Sequence, residues 1–160
     1  MSNGIILYGY SDADWAGEVV GARSTSGSLL MIGGAAIYWR SGKQPTVALS
    51  STEAEYIAAS ETTRTIKSAR VFLAHLGWAQ SESTPLYIDN QTAIRMSSEE
   101  GYDEDRRKHI NVKYHYIVEC VKEGYIKPVW VPTEQQLADI FTKSMPQRQF
   151  LLLRKQVMNE

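Results

Sequence analysis

At 160 residues, with 43% hydrophobic and 22% charged residues, the chain has the make-up of one globular domain able to bury a sizeable core. Its 17 Lys and Arg against 18 Asp and Glu give a net charge of -1, which weighs against a free-standing grip on nucleic acid by charge alone. No apolar run is long enough to cross a bilayer, no signal peptide is visible, and the single Cys120 rules out an internal disulfide and suits a reducing compartment.

The first element is a strand, led in by Ile5-Ile6-Leu7, that ends in Ser11-Asp12-Ala13-Asp14-Trp15. Asp is depleted in strands because its short side chain competes for backbone hydrogen bonds, so acids at a strand end need a reason. These residues alone leave a turn cap and a chemical role equally open. After a turn-rich connection, Ser28 to Ile32 and Ala35 to Arg40 read as two further strands about the Gly33-Gly34 turn. A break at Ser41 to Pro45 and an extended run from Thr46 to Leu49 follow, so the first part of the chain suggests an antiparallel meander.

Ser50-Ser51-Thr52-Glu53 has the polar side chains of a helix start, and helical periodicity then runs from Glu53 to Leu76, stopping at Gly77. A helical wheel sets Ala54, Ala58, Thr62, Thr65, Ala69, Phe72, Leu73 and Leu76 on one face, opposite Arg64, Lys67, Ser68 and His75. Glu55 falls within about 40° of the apolar face, and Glu53 about 200° away from Glu55, toward solvent. A glutamate aimed at the core is costly unless it meets a cation, so Glu55 is the functional candidate and Glu53 a solvated first-turn acid.

Ser81 to Pro85 reads as a linker, Leu86-Tyr87-Ile88-Asp89 as a strand ending in an acid, and Asn90 to Met96 as a short helix. That order puts Asp89 at a strand's carboxyl end, where open α/β sheets place their sites. A charge-segregated segment follows, Glu99 to Asp105 and then Arg106-Arg107-Lys108-His109, either a solvated helix start or a phosphate contact. Ile110, Tyr114, Ile117, Val118 and Val121 share a helix face up to Gly124, with Cys120 a buried small residue and His115 structural or at the surface. Tyr125 to Val131 alternates as a strand with Trp130 as a core aromatic; Leu137 to Lys143 reads as a helix, and Phe150 to Val157 as an amphipathic tail helix after Pro146. The pattern cannot tell a catalytic Asp139 from an exposed helix acid.

The order β-β-β-α-β-α-α-β-α carries acids at two strand ends, on the long helix and near the last helix. A cluster of three or four acids suits hard cations, and a pair of magnesium ions about 4 Å apart suits phosphodiester hydrolysis. No phosphate loop, zinc spacing or nucleophile elbow competes with it.

In Tyr10-Ser11-Asp12-Ala13-Asp14-Trp15-Ala16-Gly17, Arg23-Ser24-Thr25-Ser26-Gly27, Ala48-Leu49-Ser50-Ser51-Thr52-Glu53-Ala54-Glu55-Tyr56, Asp89-Asn90-Gln91, Lys108-His109-Ile110 and Gln136-Leu137-Ala138-Asp139 with Thr142-Lys143, the chain resembles the ribonuclease H domain of copia-type retrotransposon polyproteins. The motifs span nearly the whole chain in family order, and their combination is what is specific.

The resemblance implies an α/β ribonuclease H-like fold with a mixed five-stranded sheet of order 3-2-1-4-5, a core over about 5–144 and a tail helix over 145–160. It makes Asp12, Glu55, Asp89 and Asp139 the catalytic, metal-binding carboxylates, holding two Mg2+ ions with Mn2+ as a substitute, and leaves Asp14 supporting. The implied reaction is cleavage of the RNA strand of an RNA/DNA hybrid during reverse transcription. Ser51, Thr52, Asn90 and Gln91 would touch the minor groove, and Arg23, Lys43, Arg106, Lys108 and His109 the phosphates. The partners implied are the hybrid and the reverse transcriptase domain of the same polyprotein, with no membrane, for a monomeric domain resident in cytoplasmic virus-like particles or the nucleus. Unlike cellular ribonucleases H, the stretch Val131 to Gln136 holds no histidine. The competing readings are a weak or inactive hybrid-binding module and another nuclease of the same fold; keeping all four acids argues against the first, and near-neutral charge against the second.

Overall fold

The computed structural model describes residues 5–15, 23–98 and 111–160. Its centre is a five-stranded sheet, β1 (Leu7–Asp14), β2 (Thr25–Ile32), β3 (Ala35–Lys43), β4 (Thr84–Ile88) and β5 (Ile126–Trp130), ordered β3-β2-β1-β4-β5. The first three strands pair antiparallel, and β4 and β5 join parallel to β1, so the sheet is mixed, as expected. The helices are α1 (Ser51–His75), α2 (Gln91–Met96), α3 (Asn111–Lys122) and α4 (Gln147–Met158).

The β2–β3 turn closes through Gly33 and Gly34 at φ 58° and 86°, a left-handed pair that matches the twist of a two-residue hairpin. The expected break at Ser41 is absent: β3 runs on to Lys43, because Ser41, Gly42 and Lys43 keep their ladder partners Gly27, Ser26 and Thr25. Strand structure stops there, and Thr46 to Leu49 forms no ladder. Gln44 ends the strand instead, its buried amide donating to Ser26 Oγ at 3.0 Å and to the Ala54 carbonyl at 2.8 Å. That side chain ties the sheet to the first turn of α1. The expected linker Ser81–Pro85 is partly strand, since β4 starts at Thr84 and its ladder to β1 begins at Leu86, just past the proline.

Helix α1 starts at an N-cap Ser50, whose hydroxyl accepts the Glu53 N–H at 3.1 Å. Glu53 is not solvated as expected. Its carboxylate turns back to accept the Leu49 N–H at 2.7 Å, one residue before the N-cap amide that a standard capping box uses, and it is only 9% exposed. The buried face also differs from the wheel. Ala54, Ala58, Thr62 and Leu73 are buried as the wheel has them, but Tyr56, Ala59, Thr63 and Ile66 are buried as well, and Phe72 and Leu76 are 64% and 51% exposed.

One core lies between α1, α3 and the sheet, built on Leu7, Leu30, Tyr56, Ile66, Leu86, Ile88, Ile117 and Ile126. Each such side chain contributes about 1.5–3 kcal/mol on burial. Cys120 is buried there, as expected. A smaller cluster of Leu29, Met31, Leu137, Leu153 and Val157 packs α4 on the other face. Trp130 is not core: it is the last residue of β5 and is 49% exposed, whereas Ile126 at the strand's start is buried. Among the described residues no helix is long and apolar enough to cross a membrane.

Candidate metal centre

Three elements converge at the carboxyl ends of β1 and β4. Asp12 lies near the end of β1, where it pairs with Gly27 of β2, and Asp89 directly follows β4. Asp139 comes from a 3-10 helix, Leu137–Phe141, and not from the α-helix expected over Leu137 to Lys143. Asp139 is fully buried there, so it is not the exposed helix acid that periodicity left open.

One carboxylate oxygen from each of Asp12, Asp89 and Asp139 lies within 4.8 Å of the others. A cation with bonds of about 2.1 Å sets its ligand oxygens roughly 3–4 Å apart, so the three are close to a chelating set. Glu55 stands beside them. It is buried, its Oε1 accepts the Ala13 N–H at 3.2 Å, and its Oε2 has no hydrogen-bond partner. Asp14, one pleat beyond Asp12 and opposite Thr25, lies outside the cluster.

The neighbours orient these acids. Thr142 Oγ1 donates to Asp12 Oδ2, and Thr133 Oγ1 donates to Asp89 Oδ2 at 3.0 Å. Lys143 Nζ sits 2.9 Å from Asp139 Oδ2 and 3.9 Å from Asp12 Oδ2. Gly27 makes room for the 3-10 helix: a Cβ there would lie 2.6 Å from Thr142 Cγ2 and 2.8 Å from the Ala138 carbonyl oxygen. The glycine of the Arg23-to-Gly27 motif is thus a requirement of close approach.

The electrostatics are those of crowded carboxylates. Burial, then Asp12, pushes Asp139 up to about 7 despite the Lys143 ammonium. Burial pushes Glu55 well above the ordinary carboxylate range, with Asp12 and Asp89 adding to it. Asp89 is raised by burial and by Asp12, against the hydrogen bond from Thr133. For Lys143 burial acts downward, but Asp12 and Asp139 outweigh it and hold the ammonium above its ordinary value. Both Asp139 oxygens are buried without a directed hydrogen bond, and among the described residues the ion pairs to the cluster come from Lys143 alone. Leaving buried acids so short of partners is costly unless a further cation compensates them. An all-oxygen donor set of this kind fits Mg2+ or Mn2+.

The residues expected to touch nucleic acid divide into three sets. Thr52 and Asn90 meet beside the acids, Asn90 Nδ2 lying 3.5 Å from Thr52 Oγ1 while its Oδ1 caps α2 at Ala93 N. Ser51 and Gln91, at the first positions of α1 and α2, are exposed. Arg23 and Lys43 are exposed at the same end of the sheet, Lys43 being in register with Thr25 and so with Asp14, and Lys43 Nζ donates to the Arg23 carbonyl at 3.5 Å. Arg106, Lys108 and His109 lie outside the described residues. Sequence reasoning missed the roles of Thr133, Thr142, Lys143 and Gly27; all but Thr133 sat inside the family motifs, which was the available signal.

No family model matches the chain. Among solved structures, that of LC11-RNase H1 in complex with an RNA/DNA hybrid covers 85% of this chain and 93% of its own at a TM-score of 0.62 and 14% identity. With the strand order, this gives the chain the ribonuclease H fold. In sequence it is 43% identical over 152 residues, 95% of its length, to the retrovirus-related Pol polyprotein from transposon TNT 1-94 of Nicotiana tabacum, covering 11% of that protein. It is also 38% identical over 143 residues, 89% of its length, to the Pol polyprotein from transposon RE2 of Arabidopsis thaliana, covering 10% of it. The chain is therefore a homologue, over most of its length, of one segment of copia-type retrotransposon Pol polyproteins, and spans about a tenth of the curated relatives it matches.

Proposed function

We propose that the chain is a metal-dependent ribonuclease H that cuts the RNA strand of RNA/DNA hybrids, serving reverse transcription beside a reverse transcriptase of the same polyprotein. The observation that carries this reading is the meeting of Asp12, Asp89 and Asp139 oxygens within 4.8 Å at the carboxyl ends of adjacent parallel strands. Asp12, Asp89 and Asp139 would hold divalent cations, with Glu55 completing the set and Asp14 supporting. Two such ions, when bound, supply a nucleophilic water and stabilise the leaving 3′ oxygen.

The protein's own groups prepare the site. The Thr142 and Thr133 hydroxyls fix the carboxylates of Asp12 and Asp89, so fewer rotamers must be frozen when a cation or substrate arrives. Lys143 offsets part of the charge of Asp139 and Asp12. Thr52, Asn90, Ser51 and Gln91, beside the acids, offer hydroxyl and amide groups that suit 2′-hydroxyls across a shallow groove. Arg23 and Lys43, with Arg106, Lys108 and His109, supply phosphate contacts, and the weak net charge leaves much of the affinity to the neighbouring polymerase domain.

A substrate panel tests the reading. Labelled hybrid, duplex RNA and duplex DNA are each incubated with the protein in magnesium, beside Asp89→Asn. The expected result is cleavage confined to the RNA strand of the hybrid and lost in the variant. Equal cleavage by Asp89→Asn, or preference for either homoduplex, overturns it.

A further inference from the structure

We propose that Gln136 is the positioning residue that sets the spacing of the three aspartates; the inference rests on the reading of that cluster as a cation site. Asp12, Asp89 and Asp139 come from three separate elements, so something must hold those elements in register at the site. The β1–β4 ladder cannot do so alone. Its paired residues are Gly9 with Leu86 and Tyr10 with Tyr87, and pairing stops before either acid is reached.

Gln136 fills the place where the ladder ends. Its side chain is fully buried, and Nε2 donates to the Ser11 carbonyl of β1 at 3.0 Å and to the Tyr87 carbonyl of β4 at 3.4 Å. Its Oε1 accepts the Ala138 N–H at 3.2 Å and so caps the 3-10 helix that carries Asp139. The three contacts fall one residue before Asp12, two before Asp89 and one before Asp139. One amide thus links all three carriers within two residues of their acids.

The chemistry singles out glutamine. The position needs two donors and one acceptor in a single planar group, reached from full burial. Glutamate would set an acceptor against two carbonyls and add a charge beside crowded acids. Methionine keeps the length and the apolar stem but has no N–H. Asparagine keeps the amide but is one methylene short. Partners that hydrogen-bond metal ligands directly change metal affinity by about 10–100-fold when removed, and Gln136, which acts through the backbone beside each ligand, is expected near the lower end.

The test compares the wild-type protein with Gln136→Met and Gln136→Asn. Calorimetric titration of metal-free protein with manganese chloride gives the dissociation constant. Hybrid cleavage against magnesium and against substrate gives the half-saturating metal concentration, kcat and KM. The expected result is a rise of about tenfold or more in the manganese dissociation constant and in half-saturating magnesium, with the KM for hybrid within about twofold. Where Gln136→Met does not fold by circular dichroism, Gln136→Asn carries the same expectation. Manganese affinity equal to wild type in a folded variant overturns the inference, whatever the loss of thermal stability, and leaves the cation-site reading intact. A wild-type protein that binds no manganese removes that reading and the inference with it.

Discussion

Replacing Asp139 with asparagine should stabilise the metal-free protein while destroying its response to metal. Asp139 is fully buried and pushed up to about 7 from an ordinary 3.8, by burial and then by Asp12. A carboxyl raised in the folded state holds its proton there after the unfolded chain has lost it. Folding stability therefore falls as pH rises through the window from about 4 to about 7, and the penalty is complete above it. At about 1.4 kcal/mol for each pH unit of that window the ceiling is near 4 kcal/mol, and the coupling to Asp12 brings a working figure to about 2–4 kcal/mol. Asparagine carries no such penalty. It does leave a buried amide short of partners, at about 1 kcal/mol, and Lys143 keeps only its 3.9 Å approach to Asp12. The net gain at pH 8 is about 1–3 kcal/mol, or roughly 3–10 °C in Tm for a chain of this size. Thermal unfolding in chelator from pH 4 to 9 should show a shallower pH dependence for Asp139→Asn than for wild type. The remaining slope belongs to Glu55 and Asp89, which are raised in the same sense. Added magnesium should raise the wild-type Tm and leave the variant's unchanged. A variant less stable than wild type at pH 8, or parallel pH slopes, would refute the electrostatic reasoning.

Other perturbations test the surrounding geometry. Gly27→Ala sets a methyl 2.6 Å from Thr142 Cγ2 and 2.8 Å from the Ala138 oxygen, so it should cost about 1–3 kcal/mol in denaturant unfolding and reduce cleavage more than tenfold. Thr133→Val removes the 3.0 Å hydrogen bond that lowers Asp89, and the acidic limb of the cleavage pH profile should move to higher pH while Tm changes little. Ser50→Ala deletes the α1 N-cap and should cost about 1 kcal/mol by chemical denaturation, with kcat largely retained because no acid is displaced.

What the sequence made legible follows from periodicity and its limits. Strand ends are marked by composition, so Asp12 and Asp89 could be located from apolar runs that stop in an acid. A long helix marks its faces, and the wheel placed Glu55 toward the sheet, where the structure finds it buried at the end of β1. The same wheel misplaced Phe72 and Leu76: Leu73 between them is buried in the core with Ile66, so the buried side passes through Leu73 and leaves its two neighbours on the wheel outside. Glu53 was misjudged because a helical wheel leaves out its bond back to the Leu49 N–H, although Ser50 with Glu53 three residues later is a sequence signature of such a helix start. Asp139 was undecidable at 100° per residue, since its segment winds as a 3-10 helix held by contacts to β1 and β4 distant in sequence. The need for glycine at position 27 is likewise a fact of tertiary approach.

The most direct measurement is end-group analysis of the RNA fragments released from a labelled RNA/DNA hybrid, in magnesium and in chelator, by wild type and by Asp12→Asn. The expected result is fragments with 3′-hydroxyl and 5′-phosphate ends that form in magnesium with wild type and disappear with chelator or in the variant. Cleavage that persists in chelator, survives Asp12→Asn, or leaves 2′,3′-cyclic phosphate ends would contradict a metal-dependent hydrolysis built on the Asp12, Asp89 and Asp139 cluster.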